Sequence, residues 1–227
     1  MMQFYQNDET IFGKLISFVE SALKKFKMEL FSIFKDVLDL ILLTSENIEL
    51  SLSLSIGLCE AIDSRHATAL LIIFESLATL TFDALRSDEK LAEKFFELAN
   101  LVFSKAPLEF METPSIVSIL ELVIHQLNSS GESKNALKLI TKMLTVDNEN
   151  DLLLQYQLDI MARYSGLLIQ VLLQSSLFTE KQSKLSQTVF ILNTMKTASP
   201  DAFKFFLSEA LSRITRRTFQ GKIIPQF

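Results

Sequence analysis

The residues that most often carry enzyme or metal chemistry are few in this sequence and stand far apart. It has one cysteine, Cys59, and two histidines, His66 and His125. A structural zinc site with its usual Cys and His ligands therefore cannot be assembled. Cys59 lies in an apolar helical context without a second cysteine, which predicts a buried, inert thiol and a reducing compartment. We expect no metal and no cofactor.

Acidic pairs and one histidine–glutamate pair are the remaining candidates for catalysis. Glu93 and Glu97 stand beside Lys94, as solvated charges on a helix do. His125 has Glu121 one helical turn away, a pair that could tune its pKa, but no nucleophile or pocket signature accompanies it. Gly-rich phosphate loops, G-x-S-x-G and H-E-x-x-H are missing from the sequence. The sequence therefore predicts no catalytic residue and a protein that is not an enzyme.

Composition favours a wholly helical fold. The 227 residues are 48% apolar, with only 5 Gly and 4 Pro, which leaves little turn-forming material between long elements. The 19 Phe and the absence of Trp favour rings buried between helices over a stacking platform for bases. No segment alternates with period two for long enough to require a sheet.

Amphipathic stretches follow one another with a turn signal between them. A lone pair of such helices cannot hide its apolar stripe, so successive pairs must stack. The prediction is an all-α chain forming an α-α superhelix, a HEAT- or armadillo-like solenoid of about five helical pairs in one array over residues 1–227. The predicted pairs span about 9–43, 45–85, 88–127, 132–174 and 180–214, and residues 215–227 form a C-terminal tail.

Serine and threonine mark the predicted helix starts. Ser45, Ser87, Thr113 and Ser199 are the expected N-caps, the last two followed by proline at the first helical position. Gly166 lies inside the longest predicted helix, 150–174, where glycine costs about 1 kcal/mol relative to alanine. We expect it to permit a bend or close packing of helices.

If the second helix of each pair lines the concave side, the positions opposite its apolar stripe form rows that a partner protein could bind. The alternative is that these positions are merely solvated. The candidate rows are Thr68, Glu75, Thr79 and Asp83; Ser118, Glu121 and His125; Gln155, Asp159, Arg163 and Gln170; and Lys204, Ser208 and Ser212.

Charge and hydropathy limit the partners. Residues 1–112 are net acidic and the remainder is net basic, within a formal net charge of −5. Ordinary solvated helix faces explain this, although an acidic half can also attract a basic partner. The few bases near the C-terminus are too few for a phosphate-binding site, so we expect no direct nucleic-acid binding. No uncharged apolar stretch approaches a membrane span of roughly 20 residues, so we expect no membrane insertion.

Several segments resemble a known family in sequence and in order. LAEKFFELANLVFSKAP at Leu91–Pro107 looks like the helix-to-proline segment of the importin-β (karyopherin-β) family, in particular its transportin-SR and importin-thirteen branch. Ser53–Ser64, Ser133–Leu144, Tyr164–Gln174 and Val189–Leu211 are similar to flanking helices of that family. The resemblance covers residues 53–211 and consists of apolar positions and spacings.

The resemblance implies a HEAT-repeat portion from the C-terminal, cargo-binding arch of a nuclear transport receptor. Such a receptor carries protein cargo between cytoplasm and nucleus under control of the Ran GTPase, contacts nucleoporins, and acts by binding alone. Family members are several times longer, so this chain would be a fragment or a truncated product, with the main Ran contact outside it. The branch grips phosphorylated cargo with an arginine-rich helix, yet the first arginine here is Arg65, so the cargo stays open.

Two other classes of protein are alternatives to a transport receptor. A helical-repeat scaffold or adaptor unrelated to nuclear transport has the same sequence pattern and ranks second. An enzyme with a helical-bundle active site would need inward-pointing carboxylates around a polar pocket, and the sequence shows no such cluster. Response of bound proteins to Ran-GTP distinguishes a transport receptor from a scaffold.

Overall fold

The structure is helical throughout the part of the chain that it describes. The computed structural model describes residues 47–128, 134–145, 150–177 and 182–222, together with Lys14, Phe18 and Ser21, each of which is helical. These ranges contain no strand. Their helices are α1 (Ile48–Ala61), α2 (Ala67–Ser87), α3 (Glu89–Lys105), α4 (Pro107–Met111), α5 (Ile116–Asn128), α6 (Lys134–Leu144), α7 (Asp151–Leu177), α8 (Gln182–Ala198) and α9 (Pro200–Lys222).

The chain divides into two compact units, Met1–Ile119 and Leu120–Phe227, with the division falling inside α5. A single array over residues 1–227 was predicted, and it stays a prediction beside this division. The helices predicted before residue 44 lie outside the described residues, apart from Lys14, Phe18 and Ser21. Helix α9 continues to Lys222, beyond its predicted end at 214, and residues 223–227 of the predicted tail lie outside the described residues.

In the first unit, phenylalanine rings form the seam between helices. Phe74 of α2 stacks on Phe95 of α3, with ring centroids 5.4 Å apart, and meets Phe110 of α4 at 5.1 Å. Phe74, Phe95, Phe96 and Phe110 are all fully buried. Each such ring contributes a large apolar area and the geometric preference of aromatic pairs. These rings agree with the predicted burial of phenylalanine between helices.

Two lysines of α3 join it to α1. Lys94 donates from Nζ to Glu49 Oε1 at 2.9 Å and to Ser53 Oγ at 3.0 Å. At the other end of α3, Lys105 Nζ donates to the carbonyl oxygens of Cys59 and Ile62, both at 2.6 Å. Both helices therefore run in the same direction, and Lys105 satisfies carbonyls at the C-terminus of α1 that have no partner within that helix.

An amide side chain caps α1 and an acidic one caps α3, and neither cap is a serine. Asn47 accepts from the amide of Leu50 at the start of α1, whereas the predicted cap Ser45 lies outside the described residues. Asp88 accepts from the amides of residues 90 and 91 at the start of α3. The predicted cap Ser87 is instead the last residue of α2, and its hydroxyl donates back to the carbonyls of residues 83 and 84.

A short helix separates α3 from α5 and displaces the predicted start of α5. Pro107 ends α3 but also opens α4, its missing N–H costing nothing at the first helical position. Thr113 is not an N-cap, because its buried hydroxyl donates backwards to the carbonyl of Phe110 at 2.8 Å. Helix α5 begins at Ile116, after a turn in which the amide of Ile116 bonds the carbonyl of Thr113.

The second unit repeats the same neighbour relations. Helix α8 packs against α6, α7 and α9, and α9 packs against α7. Asn150 caps α7 through bonds to the amides of residues 152 and 153, so α7 starts where the sequence predicts. Ser199 precedes α9 and its carbonyl accepts from the amide of Phe203, which agrees with the predicted position of that helix start.

One described helical segment, 64–87, is long and apolar enough to cross a membrane by length and composition, with a mean hydropathy of 1.6 in its most apolar window. Core helices of soluble proteins meet the same criterion. The segment includes Glu75 and Asp83, so it is not an uncharged run. Within its unit, α2 buries Leu70, Phe74 and Leu77 completely or almost so, whereas Ile72 and Leu80 are 48% and 56% exposed. Of the most apolar window, 39% is buried.

Candidate protein-binding surface

The predicted rows lie mostly in solvent, but three of their members do not. Glu75, Ser118 and Gln170 are half-buried. The exposed members are Thr68, Thr79, Asp83, Glu121, His125, Gln155, Asp159, Arg163, Lys204, Ser208 and Ser212. The apolar positions opposite are buried as expected, for example Ile119, Val123 and Leu127 in α5. The helical period therefore places the exposed faces correctly, and individual contacts decide the exceptions.

Glu75 is not a free member of its row. Its Oε2 accepts a hydrogen bond from Ser115 Oγ at 2.7 Å, and its Oε1 is buried with no partner. Ser115 precedes α5 and is itself buried. This contact joins the middle part of α2 to the residue before α5, so Glu75 has a structural role in the first unit.

The exposed face of α7 mixes polar and apolar side chains. Gln155 Nε2 donates to Asp159 Oδ1 at 3.3 Å, a pair one turn apart. Arg163, one turn further, makes no hydrogen bond or ion pair with any described residue. Leu152 and Leu167 continue the same face and are 55% and 49% exposed. These two leucines are absent from the predicted row, which contains polar positions only, although they lie three or four residues from its members along the sequence.

Gln170 is also engaged within the second unit. Its Oε1 accepts from an Arg213 guanidinium nitrogen at 3.1 Å, and the other terminal nitrogen of Arg213 bonds Glu209 Oε1. Arg213 and Glu209 are one turn apart on α9 and both are partly exposed. Arg213 thus links α7 to α9, and its charge is offset by the neighbouring carboxylate.

A groove runs between α7 and α9, with a cavity of about 230 Å³. We call it the α7–α9 groove. Its polar lining consists of Arg163 and Gln170 from α7 and of Glu209 and Arg213 from α9. Two of these, Arg163 and Gln170, belong to a predicted row, whereas sequence reasoning missed both residues of α9, because nothing local to α9 shows which face meets α7.

The apolar lining of the α7–α9 groove depends on a glycine. Gly166 faces the ring of Phe206, and a Cβ at position 166 would stand 3.1 Å from Phe206 Cδ1. Leu167 and the buried Ala210 complete this lining. The close packing that the sequence analysis expected at Gly166 is confirmed: the missing side chain lets the aromatic ring of α9 approach the backbone of α7.

The predicted row on α9 lies outside the groove lining. Lys204, Ser208 and Ser212 are exposed, and the two serine hydroxyls donate to carbonyls of their own helix. Large apolar side chains share this exposed surface, Phe205 being 63% exposed and Leu211 48%. The row is therefore a surface of mixed character with its serine hydroxyls already paired.

Groups with chemical potential are scattered in the described part of the chain. The pKa of the buried Cys59 thiol is raised to about 12, chiefly because burial disfavours the thiolate, while the charge of Lys105 opposes the rise. The pKa of Asp63 is lowered to about 2, first by a hydrogen bond from the backbone amide of Arg65 and then by one from the Arg65 side chain. Among the described residues, no three His, Cys, Asp or Glu gather as a metal site would require.

Comparison with known proteins adds no relative: no family model, curated protein or solved structure matches this chain.

Proposed function

We propose that this protein binds other proteins through an array of repeated helical pairs, and that it is the cargo-binding arch of a nuclear transport receptor acting without catalysis. The HEAT-like arrangement is part of the proposal. It is supported by the helical fold, by the exposed rows on successive helices and by the segments that resemble the karyopherin-β family.

The observation that carries the repeat arrangement is the spacing of hydrogen bonds between helices. Lys94 reaches Ser53 and Glu49 over 41 and 45 residues, and Lys105 reaches Ile62 and Cys59 over 43 and 46. In the second unit, Arg213 reaches Gln170 over 43 residues. In each unit the joined helices are parallel, as successive stacked pairs require, and the spacing matches the roughly 40–47 residues of a HEAT or armadillo repeat.

Exposed side chains support binding as the function of such an array. Parallel helices that recur at a fixed spacing present their outward faces side by side, which is how repeat proteins form extended binding surfaces. Arg163 and Asp159 on α7 and Asp83 on α2 are charged and exposed. Side chains of this kind set the partner preference of a protein surface.

The experiment that tests the transport function compares bound proteins with and without Ran-GTP. The protein is tagged at its own chromosomal locus, so that it is recovered at its natural length, and the isolated complexes are incubated with Ran-GTP or Ran-GDP from the same organism. We expect Ran-GTP to release or recruit a defined set of proteins. A stable complex that is indifferent to Ran-GTP would refute the transport function and support a scaffold or adaptor.

A matched pair of variants tests whether the predicted rows bind the partners. Asp159→Arg changes the sign of an exposed charge within a row, and Lys196→Glu does so on α8, outside all rows. We expect Asp159→Arg to lose bound proteins that Lys196→Glu retains. Equal recovery with both variants would remove the α7 row from the binding surface.

A further inference from the structure

We propose that the α7–α9 groove binds an acidic residue of a partner protein, with its carboxylate on Arg163 and an adjacent apolar side chain against the apolar lining. The inference rests on the protein-binding function proposed above and names the chemistry of one contact. Residues after position 112 are net basic, so the charge of this part of the chain favours an acidic partner.

Arg163 is the group in the groove that is available to a ligand. Arg213 already donates to Gln170 and Glu209. Arg163 is exposed and donates to no described residue, and Asp159, one turn before it, accepts from Gln155 instead. A guanidinium presents its donors in a fixed fork that matches the two oxygens of a carboxylate.

The balance of charge selects a carboxylate over the other ionic groups. A basic side chain would compete with Arg213 for Glu209, the single carboxylate in the lining. A phosphate carries close to two negative charges at neutral pH and is usually gripped by several free donors, whereas Arg163 is the one guanidinium in the lining without a described partner. A singly charged carboxylate therefore fits the groove best.

The size and lining of the cavity favour a peptide side chain over a cofactor. About 230 Å³ is below the roughly 300–1,000 Å³ of pockets that enclose small molecules. One wall is apolar, formed by Phe206 and the buried Ala210. An acidic residue next to a leucine, isoleucine or valine would use both the guanidinium and this wall.

The test is a positional-scanning peptide library presented to the full 227-residue chain. Each library peptide has two adjacent varied positions in a Gly/Ser background. We expect enrichment of Asp or Glu beside an apolar residue. For an enriched peptide, Arg163→Gln should weaken binding roughly tenfold, as loss of one charge-assisted contact does. Lys196→Gln, which removes an exposed charge on α8 outside both the lining and the predicted rows, should leave binding within about twofold.

Several outcomes would overturn the inference. They are enrichment of basic or phosphorylated peptides, no enrichment of acidic ones, or acidic enrichment that Arg163→Gln leaves unchanged. Circular dichroism of both variants checks that each remains folded, which their exposed positions lead us to expect. The library contains no Ran, so acidic selection that depends on Arg163 stands even if bound proteins ignore Ran-GTP, and the two proposals fail separately.

Discussion

Two helical glycines allow the close packing of α7 and α9 to be tested against an internal control. A Cβ added at Gly57, in the interior of α1, meets no atom of the described residues within 4 Å, whereas one added at Gly166 meets the Phe206 ring at 3.1 and 3.3 Å. Both positions gain the same helix propensity on replacement by alanine. The two substitutions therefore differ mainly in the contact with Phe206.

The expected changes in the free energy of unfolding follow from these distances. Gly57→Ala should raise the free energy of unfolding by about 0.5–1 kcal/mol, the usual cost of glycine in a helix interior. Gly166→Ala gains the same amount, but the added methyl group must displace a half-buried ring, and overpacking of this kind costs about 1–3 kcal/mol. We expect Gly166→Ala to be neutral or destabilising, with the two variants roughly 1–3 kcal/mol apart.

Urea unfolding followed by circular dichroism measures the free energies, and hydrogen exchange of peptides from α1 and α7 assigns each change to its unit. Phe206→Ala removes the ring, so in that background Gly166→Ala should be as stabilising as Gly57→Ala. The difference between backgrounds is the coupling energy of the pair. Equal stabilisation by both alanines in the unsubstituted background would refute the close contact.

Three further predictions concern buried contacts of the first unit. Lys105→Met should lower the free energy of unfolding by about 1–3 kcal/mol, because carbonyls at the end of α1 lose a charged donor. In the same urea experiment the control Lys134→Met, at an exposed position, should lower it by less than about 0.5 kcal/mol. Between pH 9 and pH 12 the free energy of unfolding of the unsubstituted protein should fall by about 1.4 kcal/mol per pH unit relative to that of Cys59→Ala. The reason is that the thiol has a pKa near 9 in the unfolded chain and of about 12 in the folded protein. Equal slopes of unfolding free energy against pH for the two proteins would contradict this. Glu75→Ala should lower the free energy of unfolding by about 1 kcal/mol, because the bond to Ser115 is lost. Thr79→Ala removes a hydroxyl that bonds within its own helix, and in thermal unfolding it should lower the free energy by less than half of that amount.

The helices were predictable because burial imposes a period on apolar residues. Leu70, Phe74 and Leu77 stand at intervals of three and four and are buried together. The caps were less predictable. Ser87 and Asp88 are adjacent and both types cap helices, and the extended backbone at position 88, with φ −123° and ψ 108°, decides between them. A sequence read alone does not contain those angles.

Contacts between helices explain where the predicted surface was incomplete. Glu75 and Gln170 have the sequence spacing of exposed residues, yet their partners, Ser115 and Arg213, lie 40 and 43 residues further on. Which side chain meets which depends on how far one helix is displaced along its neighbour, and periodicity does not report that displacement. The cavity of the α7–α9 groove arises from the same displacement, so it could not be located from sequence.

The fixed number of residues between hydrogen-bonded helices also sets the time, during synthesis, between the appearance of one helix and that of its hydrogen-bonding partner. Ribosomes add roughly 5–20 residues per second, so the C-terminus of α1 leaves the ribosome some 2–9 s before Lys105, 43 residues beyond Ile62. During that interval its last carbonyls have only water as partner, and the apolar face of α1 has no α3 to cover it. Each nascent unit therefore exposes an incomplete edge for seconds, the period in which a chaperone would be most useful to it.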